Sequence, residues 1–424
     1  MLTIFFHIAF WLVLSVWFFR TQYVKPCFWL VVASILLKIF TTIAFVYLHQ
    51  KLYPQYTPDY TLIFADACRL SDLIHQNTLQ YLKILLFVPE DTETWHLASQ
   101  DRAFFAVKCY SFLVWITGKN FWLSMFYASG AVLAVLWWLT QILIFLFPNY
   151  RKFVIVSFIF LPSLTFWASA TSKESLLMIF LAILSVLFLK NIYQRFIWWQ
   201  AIVFLIVFYW LLLLKYYYAF GFLVGVGLYV FLLLVEKLKV IQKILCVFGV
   251  FVVFLGLTFL HPNLQINNFA EALYDNYVLI LQASPEGSAL DLGLQPTWQS
   301  LLLHSPLGLW IGLFAPLPHQ ISKWQMLPIA LENFFVLILF GLVLWEAIKS
   351  TIQNSNWGDA SDNKNKYLLI SLLVYIFIMA TFLGLSSPNF GALSRYRVGF
   401  SPFLIYILLV FFQNIRQKNK PQKH

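Results

Sequence analysis

Apolar runs long enough to cross a lipid bilayer recur from one end of this chain to the other, and nothing else in the sequence constrains its fold as much. A spanning helix needs about 20 mostly apolar residues. Twelve runs reach or approach that length: residues 2–19, 28–49, 103–117, 121–147, 153–167, 176–189, 197–214, 217–235, 244–260, 327–348, 367–385 and 400–412. The shorter ones suit tilted helices, local bilayer thinning or half-helices. With 61% hydrophobic and 11% charged residues over 424 positions, and a mean hydropathy of +0.79, the chain reads as an all-α polytopic transmembrane bundle. Residues 1–424 form a single integral membrane domain on this reading, with no visible internal repeat. No polar stretch is long enough to build a separate soluble catalytic domain.

Charge placement sets the orientation. The net charge is +11, and in a membrane protein its location carries more information than its sum. The tail, residues 414–424, holds Arg416, Lys418, Lys420 and Lys423 and no acid, which predicts a cytoplasmic C-terminus. This tail calls for no nucleic-acid partner. Short loops at 149–152, 190–195, 236–243 and around 364–366 also carry Lys or Arg and alternate correctly with that tail. Four segments then share the outer face: 162–174, 215–218, 261–326 and 386–397. The basic loop 20–25 puts a first outer loop, residues 50–102, on the same side. Twelve runs do not let both ends obey the charge rule, so the expected count is 11 to 13 crossings.

The two long outer loops differ in kind. The first carries Asp59, Asp66, Asp72, Glu90, Asp91, Glu93 and Asp101, and residues 66–86 show the helical spacing of an interfacial helix. The second, residues 261–326, has prolines at 262, 285, 296, 306, 316 and 318. Its apolar part, residues 301–317, is predicted to be broken at Pro306 and Gly308 and to be interfacial or re-entrant rather than spanning. The four cysteines, Cys27, Cys68, Cys109 and Cys246, have no metal-ligand spacing and predict no disulfide framework. The N-terminus lacks a basic leader and a small-residue cleavage site, and reads as a retained first helix.

The segment LPSLTFWASATSKES, residues 161–175, interrupts two apolar runs with a proline, a tryptophan, small hydroxylated residues and the pair Lys173-Glu174. Ser172 is a plausible N-cap and Glu174 suits the positive end of a helix dipole. That alone describes an ordinary capped helix start. Non-helical backbone at membrane depth is also tolerated where it lines a wet cavity. Asp59, with Asp66 as a second choice, is placed to take a proton from a hydroxyl; either would equally serve as a solvated loop acid. Lys173, Lys215, Arg395 and Arg397 are cations at outer membrane edges, against the positive-inside bias. Lys215 suits snorkelling among tyrosines, whereas guanidinium forks suit phosphate oxygens. Two acids seven residues apart point only weakly to a divalent ion, so no metal ligand and no cofactor is assigned, with a divalent metal left open.

Three motifs carry a resemblance. Residues 162–174 follow the pattern P-S-x-x-F-W-x-S-x-x-x-K-E, residues 389–397 follow N-x-G-x-x-x-R-Y-R, and residues 59–67 are similar to a D-x-x-x-x-Y/F-x-D-A loop, with Pro58 where that loop has Gly. Together they resemble polytopic bacterial cell-envelope glycosyltransferases of the GT-C type. The resemblance implies a GT-C-like bundle in the bacterial cytoplasmic membrane. It further implies an inverting transferase that uses a polyprenyl-phosphate-linked sugar at the outer face, with Asp59 or Asp66 as base. Lys173, Lys215, Arg395 and Arg397 would hold the lipid phosphate, and Trp167, Glu174, Tyr216, Asn389 and Tyr396 would shape the site. Partners on this reading are the lipid-linked donor, a glycan, lipid or protein acceptor, and membrane lipids. Two other functions compete: an O-antigen-type polymerase or ligase, and a lipid-linked sugar flippase or transporter. A transporter should show repeat symmetry and mid-membrane charges, and Lys38 is the clear charge inside a spanning run.

Overall fold

The computed structural model describes residue 7 and residues 27–52, 57–87, 94–194, 197–236, 258–260, 262–284, 288–321, 323–352 and 363–418, with scattered positions between 238 and 256. Its helices are α1 (Phe28–Leu52), α2 (Asp59–Gln76), α3 (Thr78–Leu86), α4 (Asp101–Ile116), α5 (Phe121–Leu146), α6 (Arg151–Ile159), α7 (Pro162–Trp167), α8 (Lys173–Tyr193) and α9 (Trp198–Glu236). They continue with α10 (Ile266–Gln282), α11 (Trp298–Phe314), α12 (Leu327–Ile352), α13 (Asn363–Ser386), α14 (Phe390–Tyr396) and α15 (Ser401–Lys418). Among the described residues there is no β-strand, only one isolated antiparallel bridge between Ala289 and Asn389. The protein is thus all-helical, as its runs require.

Among the described residues, six helices are long and apolar enough to cross a membrane: Phe28–Lys51, Phe121–Leu146, Lys173–Tyr193, Trp198–Glu236, Trp324–Lys349 and Asn363–Ser386. The bent pair Phe390–Gly399 and Ser401–Arg416, 69° apart, adds a seventh if it is one broken span. This is a multi-pass membrane protein. The shortfall against twelve runs has physical causes. Run 2–19 apart from His7, and about half of run 244–260, lie outside the described residues. Run 103–117 yields only the 16 residues of α4, about 24 Å of helix, short of a hydrocarbon core of about 30 Å. Run 153–167 breaks at Pro162, whose ring cannot continue α6 but fits the first turn of α7. Runs 197–214 and 217–235 join into α9, whose 39 residues are interrupted only where Lys215 leaves helical geometry at φ −150° and ψ 82°.

The chain packs as two compact units, where the sequence marks no boundary. The first is Met1–Leu161 with Ala168–Val207, and the second is Pro162–Trp167 with Phe208–His424. In the first, α2 packs on α4, α5 on α8, and α1 on α5. Ile63, Ala67 and Leu70 form a fully buried stripe along α2, and Ala103, Val107, Tyr110 and Val114 form one along α4. Both follow the spacing of one helix face. Residues 66–86 are helical, as expected, but α2 starts seven residues earlier and gives way to α3 at Asn77, whose side chain caps Gln80 N at 3.0 Å.

In the second unit the main pairing is α11 with α13, and it explains a departure from the sequence reading. Pro306 and Gly308 do not interrupt residues 301–317; α11 runs through both. Its glycines serve close approach instead. A Cβ on Gly312 would lie 1.9 Å from the Ala380 carbonyl oxygen, and one on Gly384 would lie 1.9 Å from that of Gly308. Backbones that close pack by van der Waals contact, which is the force available between helices in lipid. Beside them α10 presents Ala270, Leu273 and Tyr277 to Leu294, Leu301 and Leu385.

Candidate functional site

Asp59 and Lys173, 114 positions apart in sequence, form an ion pair in the first unit, with Lys173 Nζ 2.9 Å from Asp59 Oδ2. Each opens a helix, Asp59 at the start of α2 and Lys173 at the start of α8. Asp59 keeps 44% of its side chain exposed, while Lys173 keeps 19%, so the acid is reachable and the cation is largely covered. Tyr60, next along α2, is buried, and burial pushes its phenol up to about 12.

The loop that delivers Lys173, residues 168–172, is buried throughout and held by polar groups from four other segments. Lys38 Nζ donates to the Ala168 carbonyl at 2.6 Å and lies 3.3 Å from Ser169 Oγ. Ala170 N donates to Ser129 Oγ at 2.9 Å, Thr171 Oγ1 donates to the Tyr60 carbonyl at 3.1 Å, and the Tyr110 hydroxyl donates to the Ser172 carbonyl at 2.9 Å. Ser172 Oγ then caps α8 by accepting from Ser175 N at 3.1 Å, and fully buried Glu174 sits in the first turn. Ala170 adopts φ 59°, a left-handed conformation that a Cβ disfavours by about 1–2 kcal/mol. Strain of that kind persists only where the surroundings over-determine it.

Asp66 is used differently. Its side chain is fully buried and accepts from His96 N at 3.2 Å and Leu97 N at 3.0 Å, with Arg69 Nη1 at 3.5 Å. Arg69 also donates to the Thr94 carbonyl. These bonds pin residues 94–97 to α2, and such geometry suits a structural clamp rather than a base that must meet an incoming hydroxyl.

The second unit brings two of the remaining cations, Lys215 and Arg395, to Tyr396. At the break in α9 the Lys215 ammonium lies 4.3 Å from the Tyr396 ring centroid, and the Arg395 guanidinium carbon lies 5.9 Å from it. Lys215 is buried and Arg395 is half-buried. Two tyrosines grip the same turn: Tyr218 donates its hydroxyl to the Tyr396 carbonyl, and Tyr375 donates to the Gly399 carbonyl at 2.9 Å. A Cβ at Gly399 would run into the Tyr218 ring, so a larger residue there would have to push that ring aside. Asn389 caps α14 through Gly391 N at 2.8 Å and Ala392 N at 3.0 Å, and its amide donates to Ser284 and Ser288. Tyr216 is buried and accepts from Asn263 at 3.3 Å.

Arg397 stands apart from this cluster. It is buried, and its guanidinium donates to the Ala315 carbonyl at 3.0 Å, to the Leu313 carbonyl at 3.4 Å and to the Asn333 side-chain oxygen. The two carbonyls lie at the C-terminal end of α11, where a helix dipole favours a cation. Asn333 in turn donates to the Pro316 carbonyl at 2.9 Å. Its neighbour Glu332 accepts from Ser163 N at 2.9 Å and Ser163 Oγ at 2.5 Å, which fixes the start of α7. Trp167, half-buried, closes α7 against Phe166, with ring centroids 5.0 Å apart.

Among the described residues no three His, Cys, Asp or Glu side chains gather to hold a metal ion. Compared with family models, curated proteins and solved structures, the chain matches none of them. Lys38, Ser129, Tyr110, Tyr218, Tyr375 and the pair Glu332-Asn333 were not selected as site residues in the sequence. A lysine inside an apolar run was the one visible signal, since ionisable residues within a span generally have a job.

Proposed function

We propose that the protein is a GT-C-like glycosyltransferase of a bacterial cytoplasmic membrane, transferring a sugar or glycan from a polyprenyl phosphate at the outer face for cell-surface assembly. The observation that carries this reading is the Asp59–Lys173 pair: a reachable carboxylate held beside an ammonium on a buried, strained loop. An adjacent cation favours the ionised form of an acid, which is the form that accepts a proton. In the reaction the acceptor hydroxyl oxygen bonds to the anomeric carbon and the bond from that carbon to the phosphate oxygen breaks, with inversion. Asp59 takes the hydroxyl proton and the polyprenyl phosphate departs as an anion. General-base help of this kind contributes roughly 10²–10⁴-fold in rate. Arg395, the accessible guanidinium of the Tyr396 cluster, is the primary phosphate ligand, with Lys215 beside it. Glu174 belongs to the surroundings of the Asp59–Lys173 pair, and Trp167, Tyr216 and Asn389 to those of the Tyr396 cluster. Outer-face orientation, a cytoplasmic C-terminus and 11 to 13 crossings belong to the same reading.

Lipid-phosphate binding and glycan transfer, measured on nanodisc-embedded protein, test this directly. Asp59→Asn should abolish transfer and leave binding nearly intact. Arg395→Ala should weaken binding, and Arg395→Lys should restore it only in part. Parent-like binding and transfer by Arg395→Ala would remove the phosphate assignment. Binding without any transfer by the parent would favour the flippase function.

A further inference from the structure

We propose that Lys38 is a positioning residue: its buried ammonium sets the loop 168–172 and thereby places Lys173 against Asp59. Holding a charge inside a spanning helix costs several kcal/mol unless it is well partnered. A methionine or leucine would fill the same space in α1 without that cost. Here the side-chain nitrogen reaches the loop through Ala168 O at 2.6 Å and Ser169 Oγ at 3.3 Å. One turn further along α1, the Thr42 hydroxyl lies 2.8 Å from Ser129 Oγ, the same oxygen that receives Ala170 N. The face of α1 carrying Lys38 and Thr42 therefore fixes both the residue before the left-handed turn at Ala170 and the turn itself. Two residues on, Ser172 caps α8 and Lys173 begins it. The anchor at Ala168 thus opens a series, continued at Ala170, Thr171 and Ser172, that sets where Lys173 stands.

This inference rests on the proposed role of the Asp59–Lys173 pair, and its test includes an arm that needs no catalysis. In full-length protein whose four cysteines are replaced, Asp59→Cys and Lys173→Cys are joined by a bifunctional thiol reagent about as long as a lysine side chain. Because both pairing groups are gone, the yield reports the placement of the two backbones. Lys38→Met should lower the cross-linking rate by about tenfold through the lost effective concentration. Lys38→Arg, which keeps the charge and the donors, should recover most of it, and Lys38→Gln should fall between. With Asp59 and Lys173 intact, Lys38→Met should lower the turnover number by about 10²-fold, the usual effect of a misplacement of about 1 Å, without changing lipid-phosphate binding. Cross-linking at the parent rate in Lys38→Met overturns the proposal. So does Lys38→Arg behaving like Lys38→Met, which would trace the loss to packing. If Lys38→Met does not fold, Lys38→Gln decides on the same criteria, and failure of both to fold would make Lys38 a fold element only. Lost cross-linking in a protein that shows no transfer would leave the inference standing and remove the enzymatic reading.

Discussion

Asp59 and Asp66 are seven residues apart on one helix, yet one is partly exposed and the other fully buried. Asp66 is fully buried, with two backbone amides and Arg69 as partners, and hydrogen bonds to a charged group are each worth about 1.5–3 kcal/mol. Asp66→Ala should therefore cost several kcal/mol, seen as a large fall in thermal midpoint or in monodisperse yield. Asp59 is partly exposed, and exposed ion pairs contribute about 0–1 kcal/mol. Asp59→Asn should leave the midpoint within a degree or two while removing transfer. If Asp59→Asn unfolds the protein and Asp66→Asn leaves it stable but inactive, the two roles are reversed. The arginines separate in the same way. Removing one partner of a buried, hydrogen-bonded charge costs about 3–5 kcal/mol, so Arg397→Ala, which strips the cap from α11, should destabilise strongly. Arg395→Ala should retain stability and lose phosphate binding.

Two elements carry testable strain or closeness. Residues 168–172 hold Ala170 left-handed in a fully buried setting. Ala170→Gly removes the Cβ conflict, offset by the greater freedom of glycine in the unfolded chain, and should change stability by less than about 1 kcal/mol. Ala170→Val adds a β-branched side chain to the same backbone and should cost at least about 2 kcal/mol and reduce transfer with it. Equal thermal midpoints for Ala170→Val and the parent would show that the left-handed turn is not retained in the protein. The α11–α13 crossing is the second case. Gly312→Ala and Gly384→Ala each place a Cβ against backbone, which cannot rotate away, so the helices must separate. Either variant should lower the thermal midpoint sharply, whereas Gly341→Ala, where a Cβ meets nothing within 4 Å, should be neutral or stabilising. The sequence marked Pro306 and Gly308 as interruptions because proline and glycine are read locally. The partner helix that makes the glycine useful is some 70 residues away.

At the scale of the whole molecule, orientation is the quantity to measure. A reporter fused to the C-terminus should lie in the cytoplasm, and a membrane-impermeant thiol reagent should label Asp59→Cys from outside the cell. Labelling of Asp59→Cys only after permeabilisation would reverse the orientation and remove the outer-face reaction. The helical, multi-pass character was legible from the sequence alone, because hydrocarbon requires long apolar runs and those are a property of composition along the chain. The cap at Ser172 was legible for a related reason: capping is decided by residues two or three positions apart. The motifs put Asp59 and Lys173 in one site, as base and phosphate ligand; their pairing with each other is read only from the structure. The tertiary structure alone decided which acid is buried, which arginine caps a helix, and that a lysine in the first described span anchors a loop 130 residues later. Those outcomes depend on which groups fold against one another and how far each is removed from solvent. Two residues of the same type with similar neighbours in sequence acquire different roles only when packing gives one of them partners and leaves the other accessible.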